Sequence, residues 1–191
     1  MRDIYDLLDG IAVDNSDYDV SAVIGEEIGI DNRVKLMIEQ VLDSRSEKKV
    51  YQILGSILKN IPERDWDAEV SAIFNWVREN IRYTRDPLGV ELFRTPRAAI
   101  SDGIGDCDDM AIMLAALLRA AGYVCRFRVI GLTKGSYDHV YVVAGIPPEE
   151  PERWVPLDPS QPYKPGWEIE RSKVKEIMDY DVELEEEDGI Q

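Results

Sequence analysis

Histidine and cysteine are scarce in this chain of 191 residues, which contains one histidine, His139, and two cysteines, Cys107 and Cys125. Any chemistry that needs an imidazole therefore belongs to His139. No apolar run approaches the ~18 residues that a membrane-spanning helix needs. The first residues also lack the basic and apolar regions of a signal peptide. We therefore expect a cytoplasmic location and two free thiols, because disulfides are typical of exported proteins.

Basic residues are also few. The chain has 22 lysines and arginines against 38 aspartates and glutamates, which gives a formal net charge of −16. Residues 176–191 contain eight acids and no base, so half of the net charge lies there. An acidic chain repels phosphate backbones and anionic headgroups, and this excludes nucleic acid and membrane surfaces as partners.

Hydrophobic periodicity separates a helical half from a strand half. Residues 1–32 contain short apolar clusters broken by glycines and aspartates, and we interpret them as an irregular extension. Apolar residues at helical spacing begin at Arg33 and predict three helices, the third starting near Asp65. Residues 83–105 carry many turn signals and are predicted to form one long loop, which in a compact domain is often functional.

A core helix is predicted from Cys107 to Ala121, ending at Gly122. Three short strands follow, over 123–132, 138–145 and 154–158. Helices followed by closely connected strands predict an α+β fold with an antiparallel sheet. The expected organisation is an extension over 1–64, a core over 65–167 and an acidic tail over 168–191.

Cys107 occupies a position where a thiol can be made reactive. In Gly105-Asp106-Cys107-Asp108-Asp109, Asp106 is a good N-cap and Asp109 completes a capping box, which places Cys107 at the first helical position. Helix N-termini lower thiol pKa values and offer backbone N–H groups to an oxyanion. Gly105 is expected to leave room for a substrate. Asp106 and Asp108 would raise the thiol pKa, and we expect both to point away from it, Asp106 as the helix cap and Asp108 into solvent.

The alternation of side chains along two predicted strands indicates a base and an orienting group. His139 shares a strand face with Tyr141, while the opposite face, carrying Val140 and Val142, is apolar and suits a core. Asp158 ends the next predicted strand, where it can accept a hydrogen bond from the imidazole. Alone, each residue has an ordinary structural interpretation. Together, in the order Cys–His–Asp, they predict a catalytic triad.

A metal site is the competing interpretation of the same residues. The aspartates around Cys107 do not follow the alternating spacing of a calcium loop. With one histidine and two distant cysteines, zinc would need carboxylate ligands. The sequence predicts neither a metal nor another cofactor.

Three segments of the chain resemble the motifs of the transglutaminase-like superfamily. These are residues 105–111 with the leucine-rich helix that follows, His139-Val140-Tyr141-Val142, and Trp154-Val155-Pro156-Leu157-Asp158-Pro159-Ser160. Upstream segments resemble the helix and loop that precede the cysteine in that family; they are Phe74-Asn75-Trp76-Val77, Ile81-Arg82-Tyr83 and Thr95-Pro96-Arg97. The resemblance covers roughly residues 65–162 and is stronger to microbial members, including phage and prophage proteins, than to animal cross-linking enzymes.

The resemblance implies a papain-like core, with a nucleophile helix packed on an antiparallel sheet and N-terminal helices before it. It implies a Cys107–His139–Asp158 triad and acyl transfer through a thioester on a protein or peptide substrate, with hydrolysis favoured over cross-linking. Tyr83 and Trp76 are the residues that it suggests for substrate binding. The alternative is an assembly or binding module on the same fold, for instance a virion component, that contacts a protein partner through the N-terminal helices.

Overall fold

The computed structural model describes residues 20–24, 29–86 and 90–183. The described helices are α1 (Ile30–Asp43), α2 (Lys48–Leu58), α3 (Trp66–Asn80), α4 (Pro96–Asp102) and α5 (Cys107–Ala120). The strands are β1 (Val20–Ile24), β2 (Arg82–Tyr83), β3 (Val90–Arg94), β4 (Ile104–Gly105), β5 (Cys125–Gly131), β6 (His139–Ile146), β7 (Arg153–Leu157) and β8 (Glu176–Asp181). Short 3₁₀ helices lie at Ser44–Ser46 and Arg171–Lys173. The α+β class is confirmed.

The main sheet is antiparallel and has the strand order β7-β6-β5-β8. The predicted strand phases are confirmed: Val140 and Val142 join the main core, whereas Tyr141 and Val143 join a second cluster on the opposite face. Ile169 and Val174 cover that second cluster, so the segment after β7 crosses the outer face of the sheet. Both faces of the sheet are therefore packed.

Helix α5 lies at the centre of the main core. Nearly all of its residues from Asp108 to Leu118 are buried, and it packs against the inner face of the sheet on one side. Helices α1, α2 and α3 pack on its other sides through their apolar stripes. The helix ends at a C-cap residue, Ala121, followed by Gly122 at φ +89°, as the sequence predicts. Among the described helices, none has the length and apolar character that crossing a bilayer requires.

The prediction that residues 83–105 form one long loop is wrong. This stretch contains β3, which pairs with β1, then α4, and finally β4, which pairs in parallel with β2. Thr95 caps α4 with its side chain, and Pro96 occupies the first turn, where a proline costs no hydrogen bond. Part of the N-terminal stretch interpreted as irregular is likewise regular, since residues 20–24 form β1 and α1 begins at Ile30. Residues 1–19 and 25–28 of that stretch lie outside the described residues.

The acidic segment after residue 167 contributes to the fold. Strand β8 pairs with β5, and Val182 is fully buried in the main core. The acids of β8 neutralise arginines of β5: Arg126 bonds Asp181 at 2.6 Å, and Arg128 bonds Asp179 at 2.7 Å. Residues 184–191 lie outside the described residues.

Candidate active site

The predicted capping box at the start of α5 is confirmed. The Asp106 carboxylate accepts the backbone N–H groups of Asp108 at 3.0 Å and Asp109 at 3.3 Å. The Asp109 carboxylate accepts the backbone N–H of Asp106 at 3.2 Å. Cys107 is thereby fixed at the first helical position, where the backbone N–H groups have no intrahelical acceptor.

A buried ion pair supports this helix start. Asp109 is fully buried and accepts both the backbone N–H of Arg94, at 2.7 Å, and the Arg94 guanidinium, at 2.5 Å. Gly105 makes room for that carboxylate, because a Cβ at residue 105 would lie 2.6 Å from the Cβ of Asp109. The glycine therefore serves the packing of Asp109, and its expected role in admitting a substrate stays a prediction.

The Cys107 sulfur lies between α5 and the start of β6. It is 3.4 Å from Oδ1 of Asp108 and accepts the backbone N–H of Val140. The expectation that Asp108 points into solvent is wrong: this side chain is buried and also accepts a hydrogen bond from the Tyr137 hydroxyl at 2.9 Å. Asp106 behaves as a cap but remains close enough to the sulfur to affect it.

The thiol pKa is shifted in the direction opposite to the one that its helix position predicts. Burial raises the pKa of Cys107 well above its ordinary value, and the negative charges of Asp108 and Asp106 raise it further. The N–H of Val140 opposes this rise without overcoming it. The raised pKa favours the neutral thiol at neutral pH, so the sulfur needs a base to act as a nucleophile.

His139 and Asp158 form the hydrogen-bonded pair expected of a base and its orienting carboxylate. His139 Nε2 lies 2.6 Å from Asp158 Oδ2, and the aspartate side chain is 5% exposed. The other oxygen of Asp158 accepts the hydroxyl of Ser160 at 2.7 Å and its backbone N–H at 3.2 Å. Since Nε2 is engaged, Nδ1 is the ring nitrogen that can exchange a proton with a neighbouring group.

Ser160 is a neighbour of the His139–Asp158 pair that sequence reasoning did not single out. It belongs to a turn signal, Asp158-Pro159-Ser160, in which an aspartate side chain commonly accepts the backbone N–H two residues further on. In the structure it fixes the carboxylate that orients His139.

The two residues suggested for substrate binding occupy different environments. Tyr83 is 45% exposed, pairs with Gly105 between β2 and β4, and interacts electrostatically with Cys107 and Asp106. Burial of part of the ring raises the pKa of the Tyr83 phenol, with Cys107 adding to the rise. Trp76 lies on α3, partly buried against the main core. Its role in binding stays a prediction.

Within the described residues, one group of acidic and thiol side chains could hold a metal ion. Ligand atoms of Asp106, Cys107 and Asp108 lie within 4.8 Å of one another. The two carboxylates already accept protein hydrogen bonds, Asp106 from the helix start and Asp108 from Tyr137. The prediction that the site works without a metal stays a prediction.

Comparison with known proteins identifies relatives of this fold. A sequence profile described as the transglutaminase-like superfamily matches residues 53–159, more than half of the chain. The chain is similar to a proposed cysteine protease from Cytophaga hutchinsonii at 20% identity and a TM-score of 0.45, over 59% of this chain and 37% of that one. It is similar to a proposed protease from Parabacteroides distasonis at 12% identity and a TM-score of 0.48, over 67% and 29% of the two chains. It is also similar to LapG of Legionella pneumophila at 20% identity and a TM-score of 0.44, over 73% and 76%.

The chain spans about a third of the length of the first two of these structures. A search of proteins with curated functions gives no match.

Proposed function

Since the chain belongs to the transglutaminase-like superfamily, we propose that it is a thiol-dependent acyl-transfer enzyme for peptide or amide substrates, with hydrolysis as its main reaction. One observation carries the proposal. The His139–Asp158 pair stands at the start of β6, and the next backbone N–H of that strand, from Val140, meets the Cys107 sulfur. The adjacency of His139 and Val140 along β6 supports the proposal that nucleophile, base and orienting group come from three separate elements.

The first half of the reaction forms a thioester. His139 Nδ1 takes the proton of the Cys107 thiol while the sulfur attacks the amide carbonyl, and Asp158 stabilises the imidazolium through Nε2–H. The backbone N–H of Cys107, at the helix start, is the group proposed to hold the developing oxyanion. The imidazolium then gives its proton to the departing amine, and the carbon–nitrogen bond breaks.

The second half returns the thiol. His139 removes a proton from water, the resulting hydroxide equivalent attacks the thioester, and the sulfur leaves with a proton from the imidazolium. The products are a carboxylic acid and the free Cys107 thiol. A primary amine in place of water would give a new amide, which is the cross-linking variant of the same chemistry.

The resting protonation of the thiol sets the order of these steps. The raised pKa of Cys107 favours the neutral thiol before substrate binds, and we propose that its proton is transferred during the attack. Tyr83, exposed beside the nucleophile, is proposed to contact the acyl part of the substrate.

The test is cleavage of a peptide library derived from a whole proteome, with new N-termini identified by mass spectrometry. We expect cleavage by the natural chain and by Cys125→Ala, a matched thiol control that lies fully buried in the core. Cys107→Ala, His139→Ala and Asp158→Ala should lose it, by on the order of 10³-fold or more for the cysteine. Cleavage that survives Cys107→Ala would overturn the proposal.

A second arm separates hydrolysis from amine transfer. The same digestion is repeated with a biotinylated primary amine at millimolar concentration. Predominantly free acids at the new C-termini support hydrolysis, whereas biotin incorporated at most of the cleaved positions would establish amine transfer as the main reaction.

One observation favours the alternative of a non-enzymatic assembly or binding module. The thiol lies between two buried carboxylates that oppose its ionisation, which is unfavourable for a nucleophile that must act often. A chain that cleaves no peptide, yet captures the same protein partner with Cys107→Ala as with the natural sequence, would support this function. Virion association and a cytoplasmic location remain predictions of the sequence.

A further inference from the structure

A cavity of about 180 Å³ lies beside the His139–Asp158 pair, and both residues form part of its wall. The other walls are largely apolar; they include Ile130, Leu132, Tyr141, Trp167 and Ile169. A dry apolar cavity of ~150 Å³ is large enough to hold benzene. The space therefore fits one side chain of the size of leucine or phenylalanine.

Trp167 forms one wall of the cavity, and three contacts hold it and its neighbours in place. The Trp167 ring stacks on Tyr163 with 4.0 Å between ring centroids. The Tyr163 carbonyl accepts the Arg78 guanidinium at 3.0 Å, and the N–H of Gly166 bonds the Pro156 carbonyl at 2.8 Å. These contacts tie the segment to α3 and β7, so the cavity is formed before any ligand enters.

The cavity and the nucleophile lie towards opposite faces of the sheet, since Cys107 packs against the main core. The Cys107 sulfur meets the backbone of Val140, whose side chain faces the main core. Ile130 and Tyr141, which wall the cavity, belong to the cluster on the opposite face of the sheet. In the proposed reaction the acyl group stays on the sulfur while His139 protonates the departing amine. A group that leaves past His139 is therefore the one that can reach this cavity.

The charged residues of the cavity disfavour an anionic ligand. Asp138 accepts the N–H of Leu132 at 2.7 Å and also bonds Ser136, and these bonds lower the pKa of Asp138, which keeps it ionised. Glu168 accepts the Tyr141 hydroxyl at 2.8 Å and is paired with an arginine that lies outside the cavity. Among the described residues that line the cavity, none is a lysine or an arginine. A free C-terminal carboxylate would meet the carboxylates of Asp138, Asp158 and Glu168 here and no lysine or arginine of the lining.

We infer that this cavity binds the side chain of the residue on the amine side of the scissile amide, and that it selects a large apolar residue within a chain over a C-terminal one. The inference rests on the proposed function. By this inference the enzyme cleaves on the N-terminal side of a large apolar residue and does not remove a single residue from a free C-terminus.

The test uses a peptide cleaved in the library experiment, resynthesised with phenylalanine, leucine, glycine or aspartate on the amine side of the cut. A phenylalanine peptide that ends at that residue as a free acid is compared with the same peptide as an amide. We expect kcat/KM to be at least about tenfold higher for phenylalanine or leucine than for glycine, the range typical of an apolar pocket. The free acid should be cleaved more slowly than the amide.

Two variants act on the cavity, and one serves as a control. Trp167→Ala removes a wall and should reduce the phenylalanine-to-glycine ratio towards one. Leu132→Glu, at a side chain that is 46% exposed and so tolerant of change, should reduce the same ratio and favour lysine. Trp154→Ala removes a tryptophan on β7 that does not line the cavity, and the ratio should stay at the natural value.

The outcomes separate the two proposals. Cleavage without an amine-side preference, or with a preference that both cavity variants retain, overturns this inference and leaves the proposed function standing. Absence of cleavage for every peptide overturns the proposed function, and the inference fails with it.

Discussion

Loss of the Arg94 guanidinium should lower the free energy of unfolding more than loss of an exposed ion pair does. Asp109 is fully buried, and Arg94→Met leaves its carboxylate with two backbone donors and no counter-charge. Loss of one partner from a buried pair typically costs 3–5 kcal/mol, because the remaining charge stays desolvated. We expect about 3–5 kcal/mol less free energy of unfolding for Arg94→Met.

The measurement is urea unfolding followed by tryptophan fluorescence, with a thermal scan beside it. In a chain of this size each kcal/mol lowers Tm by about 2–4 °C, so the expected fall is roughly 6–20 °C. Arg153→Met is the matched control: its pair with Asp67 is as short, at 2.6 Å, but the side chains are 47% and 73% exposed. Exposed pairs contribute about 0–1 kcal/mol.

A second check is how the difference in unfolding free energy between the natural chain and Arg94→Met depends on pH. Burial raises the pKa of Asp109, and Arg94 opposes that rise. Without Arg94 the pKa of Asp109 in the folded state lies higher still. The variant therefore gains stability relative to the natural chain as acid protonates the Asp109 carboxyl. The stability gap should be largest at neutral pH and should narrow as pH falls. Equal losses for the Arg94 and Arg153 variants, or a gap that does not change with pH, would refute this reasoning.

Four further expectations concern the nucleophile and its support. Iodoacetamide should label Cys107 faster than Cys125, which is 2% exposed and whose pKa burial raises to about 12, and the Cys107 rate should climb steeply above neutral pH. Asp108→Asn should speed the labelling of Cys107 at pH 7 by removing the adjacent negative charge; an unchanged or slower rate would contradict the pKa argument. Gly105→Ala should cost about 1–3 kcal/mol in urea unfolding, since its Cβ would overlap a buried carboxylate, and a neutral result would show that the carboxylate can move. In the cleavage assay Ser160→Ala should lower kcat several-fold with little change in KM, whereas Ser160→Thr, which keeps the hydroxyl, should retain most of the activity.

The elements that local periodicity determines could be predicted from the sequence. Helix α5 and strands β5, β6 and β7 follow their predicted phases, because each buries its own apolar stripe or face in the core. Helix α4 carried a recognisable signal in Thr95-Pro96, a capping residue followed by a first-turn proline, which was interpreted as loop punctuation.

Strand β8 could not be predicted in the same way. Its acidic composition resembles a solvated tail, and it becomes a strand because Asp179 and Asp181 meet two arginines of β5. That compensation depends on residues about fifty positions away, so no local window contains it.

The environment of the thiol could not be predicted from a local stretch of sequence either. The capping box was predictable from spacing, whereas the orientation of Asp108 depends on Tyr137, which lies 29 residues further along the chain. The helix terminus alone predicts a lowered pKa. The pKa is raised because tertiary packing buries the sulfur together with two carboxylates.

The packing of α1 sets the size of the smallest piece that can fold. Residues 53–159 carry the family match, yet Val34 and Met37 of α1 fill the same core as α5, and the Met37 sulfur lies 3.5 Å from the Tyr137 hydroxyl that bonds Asp108. A shortened version beginning at residue 53 would expose an apolar flank of α5 and the groups behind the nucleophile. Engineering or crystallising this protein by trimming it to the shared region should therefore yield aggregates, and shortened chains for either purpose need to begin before Ile30.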